Sequence, residues 1–166
     1  MTKLEELENE LERLKSEIEK LKVEEKQEKK CTRWKPSAGD AYWCINGNGI
    51  ANELHWVYDI VDKGAYSIGD CFQTKEEAEF EIERLKVIAE MKEFAFEPDW
   101  NDVSQLKYCI YYNYHKDEIM GPALQIEYYY STKYCDIYFE SFKKAQECIN
   151  AVGADRIKKY YFRVEE

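Results

Sequence analysis

The sequence predicts an α+β fold. Its parts are mainly antiparallel sheet with two helices on one face, a duplicated βββα-type module, and an N-terminal coiled-coil helix ahead of the body. Three observations predict it. The first thirty residues carry a heptad of aliphatic side chains and contain no Gly or Pro. Residues 31–166 alternate short aromatic-rich runs with two segments of helical period. The order, strands and then a helix, occurs twice. The chain therefore divides into residues 1–30, a coiled-coil oligomerisation helix and linker, residues 31–98, a first α+β module, and residues 99–166, a second, the two modules packed as one body.

In the N-terminal segment Leu4, Leu7, Leu11, Leu14, Ile18 and Leu21 follow the alternating 3, 4 spacing of a heptad seam. Leu4, Leu11 and Ile18 take the a positions and the other three take d. Lys3, Glu10 and Glu17 then fall at g, with Glu8, Lys15 and Lys22 at the following e. In a parallel pair every g residue meets an opposite charge, Lys3 with Glu8, Glu10 with Lys15 and Glu17 with Lys22. This predicts a homo-oligomer joined through the coil. Three heptads are marginal alone, because helix nucleation is costly, so the body is expected to help hold the protomers. The alternative is one amphipathic helix packed on its own body, although such a helix normally carries a wider apolar face. Past Leu21 the seam turns charged, and "EEKQEKK" reads as a linker.

The body begins at "WKPSAGDAYWCI", where Pro36 and Gly39 mark a turn before a strand over about 41–46. "ELHWVYDIV" and "AYSIGDCF" read as the next two strands. Thr74 and Glu77 have capping-box spacing, so a helix follows. Its apolar residues Ala78, Ile82, Leu85 and Ala89 share one face, and Pro98 blocks its continuation. "LKYCIYYNY", "PALQIEYYY" and "YCDIYF" repeat the strand pattern. Ser141 caps a shorter helix that Gly153 ends. "IKKYYFRV" reads as a last strand.

The stretch "CINGNGIANELHW" poses a choice between a phosphate loop and a hairpin turn. A phosphate loop needs a helix directly after its glycines, with its N-terminus facing the anion. Here a strand-like run follows, and no Gly-Lys-Ser/Thr is present. Asn-Gly is a preferred hairpin dipeptide because both residues tolerate positive φ. Residues 46–49 are therefore read as a turn.

No catalytic constellation is written in the chain. His55 and His115 are far apart, and neither belongs to an HExxH or to a His/Cys cluster at metal spacing. The six cysteines, Cys31, Cys44, Cys71, Cys109, Cys135 and Cys148, form no CxxC pair. Nothing pairs a thiol with a base. The expectation is a non-catalytic protein with no cofactor and no metal. The charged N-terminus predicts no signal peptide, and no apolar run is long enough to span a bilayer. A cytoplasmic protein with reduced thiols follows.

Net charge is −10 and the pI about 4.9. Such a chain is repelled by duplex nucleic acid and by anionic membranes, and neither is an expected partner. A basic protein surface, such as the groove of a nuclease, is a compatible one. The charge also serves solubility on its own.

The candidate binding face comes from strand alternation. In the three tyrosine-rich runs of the second module the larger apolar set faces the helices. The opposite face collects Tyr111, Tyr129 and Tyr161 beside Asn113, Gln125, Glu127 and Arg163. Rings beside amides and a guanidinium suit a base or nucleotide: stacking supplies affinity and the polar groups orientation. Lys158 and Lys159 lie close in sequence to Arg163 and share its charge. Paired cross-strand tyrosines are the plainer explanation. Trp43 and Trp56, beside the first hairpin, are the alternative place for a ligand.

"WKPSAGDAYWCI", "GDCFQTKEEAEFEIERLKVIAEMKEFA" and "YFESFKKAQECINAVGADRIKKYYF" resemble a family of small phage and prophage proteins of Firmicutes. The resemblance covers most of the body and excludes the coil. Its motifs are structural, so it carries over no active site. It implies a role in host takeover or against antiviral defence, in the cytoplasm of the host cell. Combined with the aromatic face, the expected function is a sponge that sequesters a nucleotide-type immune signal. The alternatives are an acidic, anti-CRISPR-like inhibitor docking on a nuclease effector, and a structural or assembly adaptor.

Overall fold

The computed structural model describes residues 33–114 and 123–164, together with residues 10, 11, 13–15 and 18. The chain divides into two units, Met1–Pro36 and Ser37–Glu166. In the first, Glu10, Leu11, Arg13, Leu14, Lys15 and Ile18 are helical. The seam residues Leu11, Leu14 and Ile18 are 55%, 52% and 51% exposed. Leu4, Leu7 and Leu21 lie outside the described residues.

The second unit is α+β. Strand β1 (Ala41–Ile45) turns Tyr42 and Cys44 inward and pairs antiparallel with β2 (Ala51–His55). The expected turn joins them. The Asn46 carbonyl accepts from the Gly49 N–H at 2.9 Å, and its side-chain oxygen accepts from the N–H groups of Asn48 and Ile50 at 2.9 and 3.1 Å. Gly49 sits at φ 71°, where a Cβ would be strained. Phe72 returns to β1 and exchanges both backbone hydrogen bonds with Trp43, at 2.9 and 2.8 Å.

Between β2 and Phe72 the structure corrects two expected strands. The chain leaves β2 at His55, and helix α1 (Ile60–Ile68) occupies most of the rest. The run "VYDIVDKGAYSI" has the β-branched and aromatic content of a strand. Local capping overrides that propensity: Asp59 accepts from the Asp62 N–H at 2.9 Å, and the Asp62 side chain bonds back to the Asp59 N–H. Gly69, at φ 94°, ends the helix.

Helix α2 (Lys75–Lys92) starts at the Thr74–Glu77 capping box, as its sequence predicts. It is buried on two opposite sides: Ala78 and Ile82 near its start, and Val87 and Met91, about 180° around the axis, near its end. Leu85 and Ala89, expected inside with Ala78 and Ile82, are exposed, so the expected face is buried only in its first half. Strands β3 (Lys107–Asn113) and β4 (Ala123–Tyr129) form the second antiparallel hairpin, with Tyr111 opposite Gln125 and Cys109 opposite Glu127. The expected strand at "YCDIYF" is reduced to one bridge, Phe139 with Tyr108. The strands thus make two separate two-stranded ribbons rather than one continuous sheet.

Helix α3 (Phe142–Val152) is capped by Ser141, and Gly153 follows it at φ 96°. The expected last strand, "IKKYYFRV", is instead helical. A short turn, α4 (Ala154–Arg156), runs into a single π-helical turn at Ile157–Tyr161. Tertiary contacts decide this. Ile157 is fully buried in a core shared with Val87, Met91, Ile110, Phe139 and Cys148. Arg156 forks onto Glu90 of α2 at 2.7 and 2.9 Å. Among the described residues no helix is long and apolar enough to cross a membrane.

Candidate functional site

The π turn puts a cationic strand of chain beside the first turns of α2. The groove between them has a volume of about 1150 Å³. Phe72, Phe80 and Tyr112 give it aromatic surface, from three different elements. Lys158, Lys159 and Arg163 line it from the C-terminal segment, together with Asp155, and Glu76, Glu77 and Glu81 line it from α2.

Each wall has a local cause. The Phe72–Trp43 bridge and the Thr74 cap fix where α2 begins, and so where Phe80 and Glu81 project. The Phe80 ring lies 5.1 Å from Tyr160, and Tyr112 lies 6.1 Å from Phe162, so core aromatics brace both sides. In the π turn the Phe162 N–H reaches back to the Ile157 carbonyl at 3.1 Å. Arg163 then takes φ 54°, a left-handed conformation that non-glycine residues rarely adopt. π turns and such outliers gather at functional sites, because surrounding structure must hold them in place.

The cations of the groove are loosely held. Arg163 reaches Glu81 at 3.5 Å with a side chain 66% exposed. Glu81 is engaged more closely by Arg84, whose Nε and Nη2 donate to it at 2.7 to 2.9 Å. Lys158 pairs with Asp155 at 3.1 Å, and Lys159 lies 5.3 Å from the centre of the Tyr160 ring. The three cations share the groove with four carboxylates, Glu76, Glu77, Glu81 and Asp155. Their pairs with Asp155 and Glu81 are weak enough for an entering anion to compete with them. The nearby rings offer a face for a flat group.

The expected tyrosine face forms only in part. Tyr111, Gln125, Glu127 and Tyr129 do share one side of the β3–β4 ribbon. The Tyr111 hydroxyl donates to Gln125 and, at 3.1 Å, to Glu127. The Tyr129 hydroxyl donates to Glu127 at 2.8 Å. The Glu127 carboxylate pushes the Tyr129 phenol up, and burial does the same to Tyr111, with Glu127 adding to it. Tyr129 also lies 4.4 Å from the Tyr134 ring. These polar tips are occupied by one another, which is the cross-strand ladder that tyrosine pairs make unaided. Asn113 ends β3 opposite Ala123.

Two members leave that face, because Tyr161 sits in the π turn and Arg163 just beyond it rather than on a strand. Tyr161 packs against the core, and burial pushes its phenol up to about 12. Arg163 lines the groove instead. In the first hairpin Trp56 is 1% exposed, stacked edge-on to Tyr42, Tyr58 and Tyr66. It is a core residue, out of a ligand's reach in this conformation. Trp43 is half-buried beside Phe72.

Sequence reasoning found Arg163, Lys158 and Lys159 by charge. It missed Phe72, Phe80, Tyr112 and Glu81, which become neighbours only through the fold. The available signal was the Thr74 cap, which phases Phe80 and Glu81 onto one end of α2. Among the described residues no cluster of three or more His, Cys, Asp or Glu side chains could hold a metal ion. No protein-family model, curated protein or solved structure matches the chain.

Proposed function

We propose that this chain is a non-catalytic binding protein that holds a nucleotide-type signal in the groove between α2 and the C-terminal π turn. One observation carries the reading: three cationic side chains, facing four carboxylates, line a groove that also exposes three aromatic rings, at a turn held in a rare backbone conformation. Phosphate pairs with Lys158, Lys159 and Arg163, and the base stacks on Phe80 or Tyr112. With the phage-family resemblance, the role is a sponge that removes an immune signal in the host cytoplasm. The protomers assemble through the N-terminal heptad, whose described members Leu11, Leu14 and Ile18 leave their apolar side chains half exposed. In the same reading the two hairpin-and-helix halves descend from one duplicated module. Trp43–Phe72 and Tyr108–Phe139 are equivalent bridges, each followed by a capped helix.

Charge pairing favours this reading over an acidic nuclease inhibitor. The carboxylates of α2 are largely matched: Glu79 with Lys75, Glu81 with Arg84, Glu83 with Lys86 and Glu90 with Arg156. These pairs intersperse cations among the carboxylates of α2, so the helix does not present the contiguous acidic stripe that imitates a nucleic acid.

The test is a thermal-shift screen against cyclic and ADP-ribose-type nucleotides, followed by calorimetry on the best ligand. Arg163→Glu is expected to weaken binding by about tenfold or more, as is the double change Lys158→Ala/Lys159→Ala, each removing charge-assisted contacts. Tyr129→Ala, on the ladder face, is expected to leave affinity unchanged. Loss of binding in Tyr129→Ala with none in Arg163→Glu would move the site to the β3–β4 ribbon. If none of these nucleotides binds, the proposed ligand class is wrong.

A further inference from the structure

Helix α1 is oriented contrary to its composition. On a helical wheel Ile60, Val61, Gly64 and Ile68 fall within one 100° arc. Asp62, Ala65 and Tyr66 occupy the opposite side. The apolar arc is the one turned outward: Ile60 is 87% exposed, Ile68 81% and Val61 57%, with the adjoining Val57 at 65%. The side that anchors the helix is led by a charged residue, Asp62, which is 2% exposed. A Cβ placed on Gly64 would meet no atom within 4 Å. The fold of one protomer therefore does not require glycine there, and glycine weakens a helix interior. Its lack of a side chain has a use if another backbone approaches.

Monomeric soluble proteins seldom leave such a patch open to water. We infer that the outward face of α1 is a docking surface for α1 of a second copy of this chain, the two helices meeting at Gly64 about a twofold axis. The choice of occupant comes from the N-terminal heptad, and the inference rests on the oligomer reading above. All three g–e′ pairs of that segment are complementary between identical chains in parallel register. Three heptads are too short to hold a dimer firmly, so a further contact between the bodies is needed. A tether to the coil would give each body an effective concentration of the other on the order of millimolar. A modest apolar face suffices at that concentration. The patch carries no charge, so two copies can face each other without like-charge repulsion. A twofold interface brings the same patch from both copies together, and an uncharged apolar patch open at Gly64 meets that requirement.

The experiment measures the mass of full-length protein by sedimentation across a dilution series. Three variants accompany the wild type: Ile60→Glu/Ile68→Glu on the patch, Leu11→Asp/Leu14→Asp on the seam, and all four changes together. Ile60 and Ile68 are so exposed that glutamate there leaves the protomer folded, and circular dichroism checks this. The patch variant is expected to raise the dimer dissociation constant about tenfold or more. The seam variant should still self-associate at high concentration, and the fourfold variant should not. A patch variant that dissociates like wild type overturns the inference even if the seam variant falls apart. A patch variant that dissociates while the seam variant does not would sink the coil and leave the inference standing. A wild type that is monomeric at its highest soluble concentration overturns both, and a patch that serves some other protein would give that result.

Discussion

The two halves of the body each bury one charge among the described residues, of opposite sign, and satisfy it with opposite ends of the peptide group. In the first, Asp62 accepts from the N–H groups of Val57 and Asp59 at 2.6 and 3.3 Å, and from the Tyr42 hydroxyl at 2.8 Å. In the second, the fully buried Lys107 donates from Nζ to the carbonyls of Asp102, Gln105 and Tyr130, at 3.0, 3.0 and 2.9 Å, with the Trp100 ring 5.4 Å away. An aspartate can thus cap and pin the loop that becomes α1. A lysine gathers the irregular chain after Pro98 and ties it to the end of β4. The polarity of the loop's free backbone groups decides which charge can be buried there. The protein uses such a charge in each half, where apolar contacts would hold an irregular segment only loosely.

The largest effect expected from breaking this comparison is at Lys107. Lys107→Met keeps most of the side-chain volume but leaves three inward-facing carbonyls without their donor. Chemical denaturation should show a loss of about 3 kcal/mol. A loss under about 1 kcal/mol would mean that the ammonium is not what closes this loop.

Asp62→Asn should cost about 2 kcal/mol, because an amide turns a donor toward at least one of the hydrogens that the carboxylate accepts. It should also change the response to acid. Burial alone would raise the Asp62 carboxyl, but hydrogen bonds from Val57, Tyr42 and Asp59 outweigh it and hold the group below its ordinary value of 3.8. A carboxyl lowered in the folded state stabilises fully above the unfolded value and loses that contribution as pH falls through the folded one. Wild-type stability should therefore drop on acidification below about pH 4, and Asp62→Asn should flatten part of that slope. Parallel curves for the two proteins would remove Asp62 from the account.

The smallest difference lies in the thiols. In the first half Cys44 and Cys71 are both buried, and burial pushes the Cys44 thiol up. In the second, a hydrogen bond from Cys109 holds the half-buried Cys135 below the ordinary thiol value. Away from both hairpins, burial pushes Cys148 up to about 11. Because the thiolate is the nucleophile, timed alkylation read by mass spectrometry should label Cys135 first among Cys44, Cys71, Cys109, Cys135 and Cys148. Equal labelling of Cys135 and Cys148 would show that the thiol pair does not tune reactivity.

Features written in short-range chemistry were legible in the sequence. Asn46 and Gly49 specify a turn locally, one through its side-chain oxygen and the other through a left-handed φ. Thr74 with Glu77, Ser141 and Gly153 specify helix ends in the same way. Alternation in β3 and β4 placed Ile110, Leu124 and Ile126 together against the core, but Tyr128 on that face is exposed, and Cys109 on the Tyr111–Glu127 face is buried. Helix α1 was misread because Val57, Ile60 and Val61 look like buried strand residues, whereas here they are exposed. The Asp59–Asp62 box was its signal, carrying aspartate where Glu or Gln is usual. The final segment was misread because tertiary burial of Ile157 outweighs the β-propensity of Tyr160, Tyr161 and Phe162. At the candidate site the cations were visible as charge. The rings were not, because Phe72, Phe80 and Tyr112 are spread over forty residues of chain.

The π turn at Ile157–Tyr161 has a consequence for how this stretch can vary by descent. A π turn contains one residue more than the α-helical turn it replaces. Each residue advances an α-helix by about 100°. Losing a single codon anywhere in the turn would therefore swing Arg163 more than a quarter of a revolution away from the groove. Replacing a residue within the turn leaves that phase intact. On the proposed function, chain length across Ile157–Tyr161 should tolerate less change than the identity of its exposed side chains, and a deletion after Ile157 would misplace Arg163 while leaving that buried anchor in the chain.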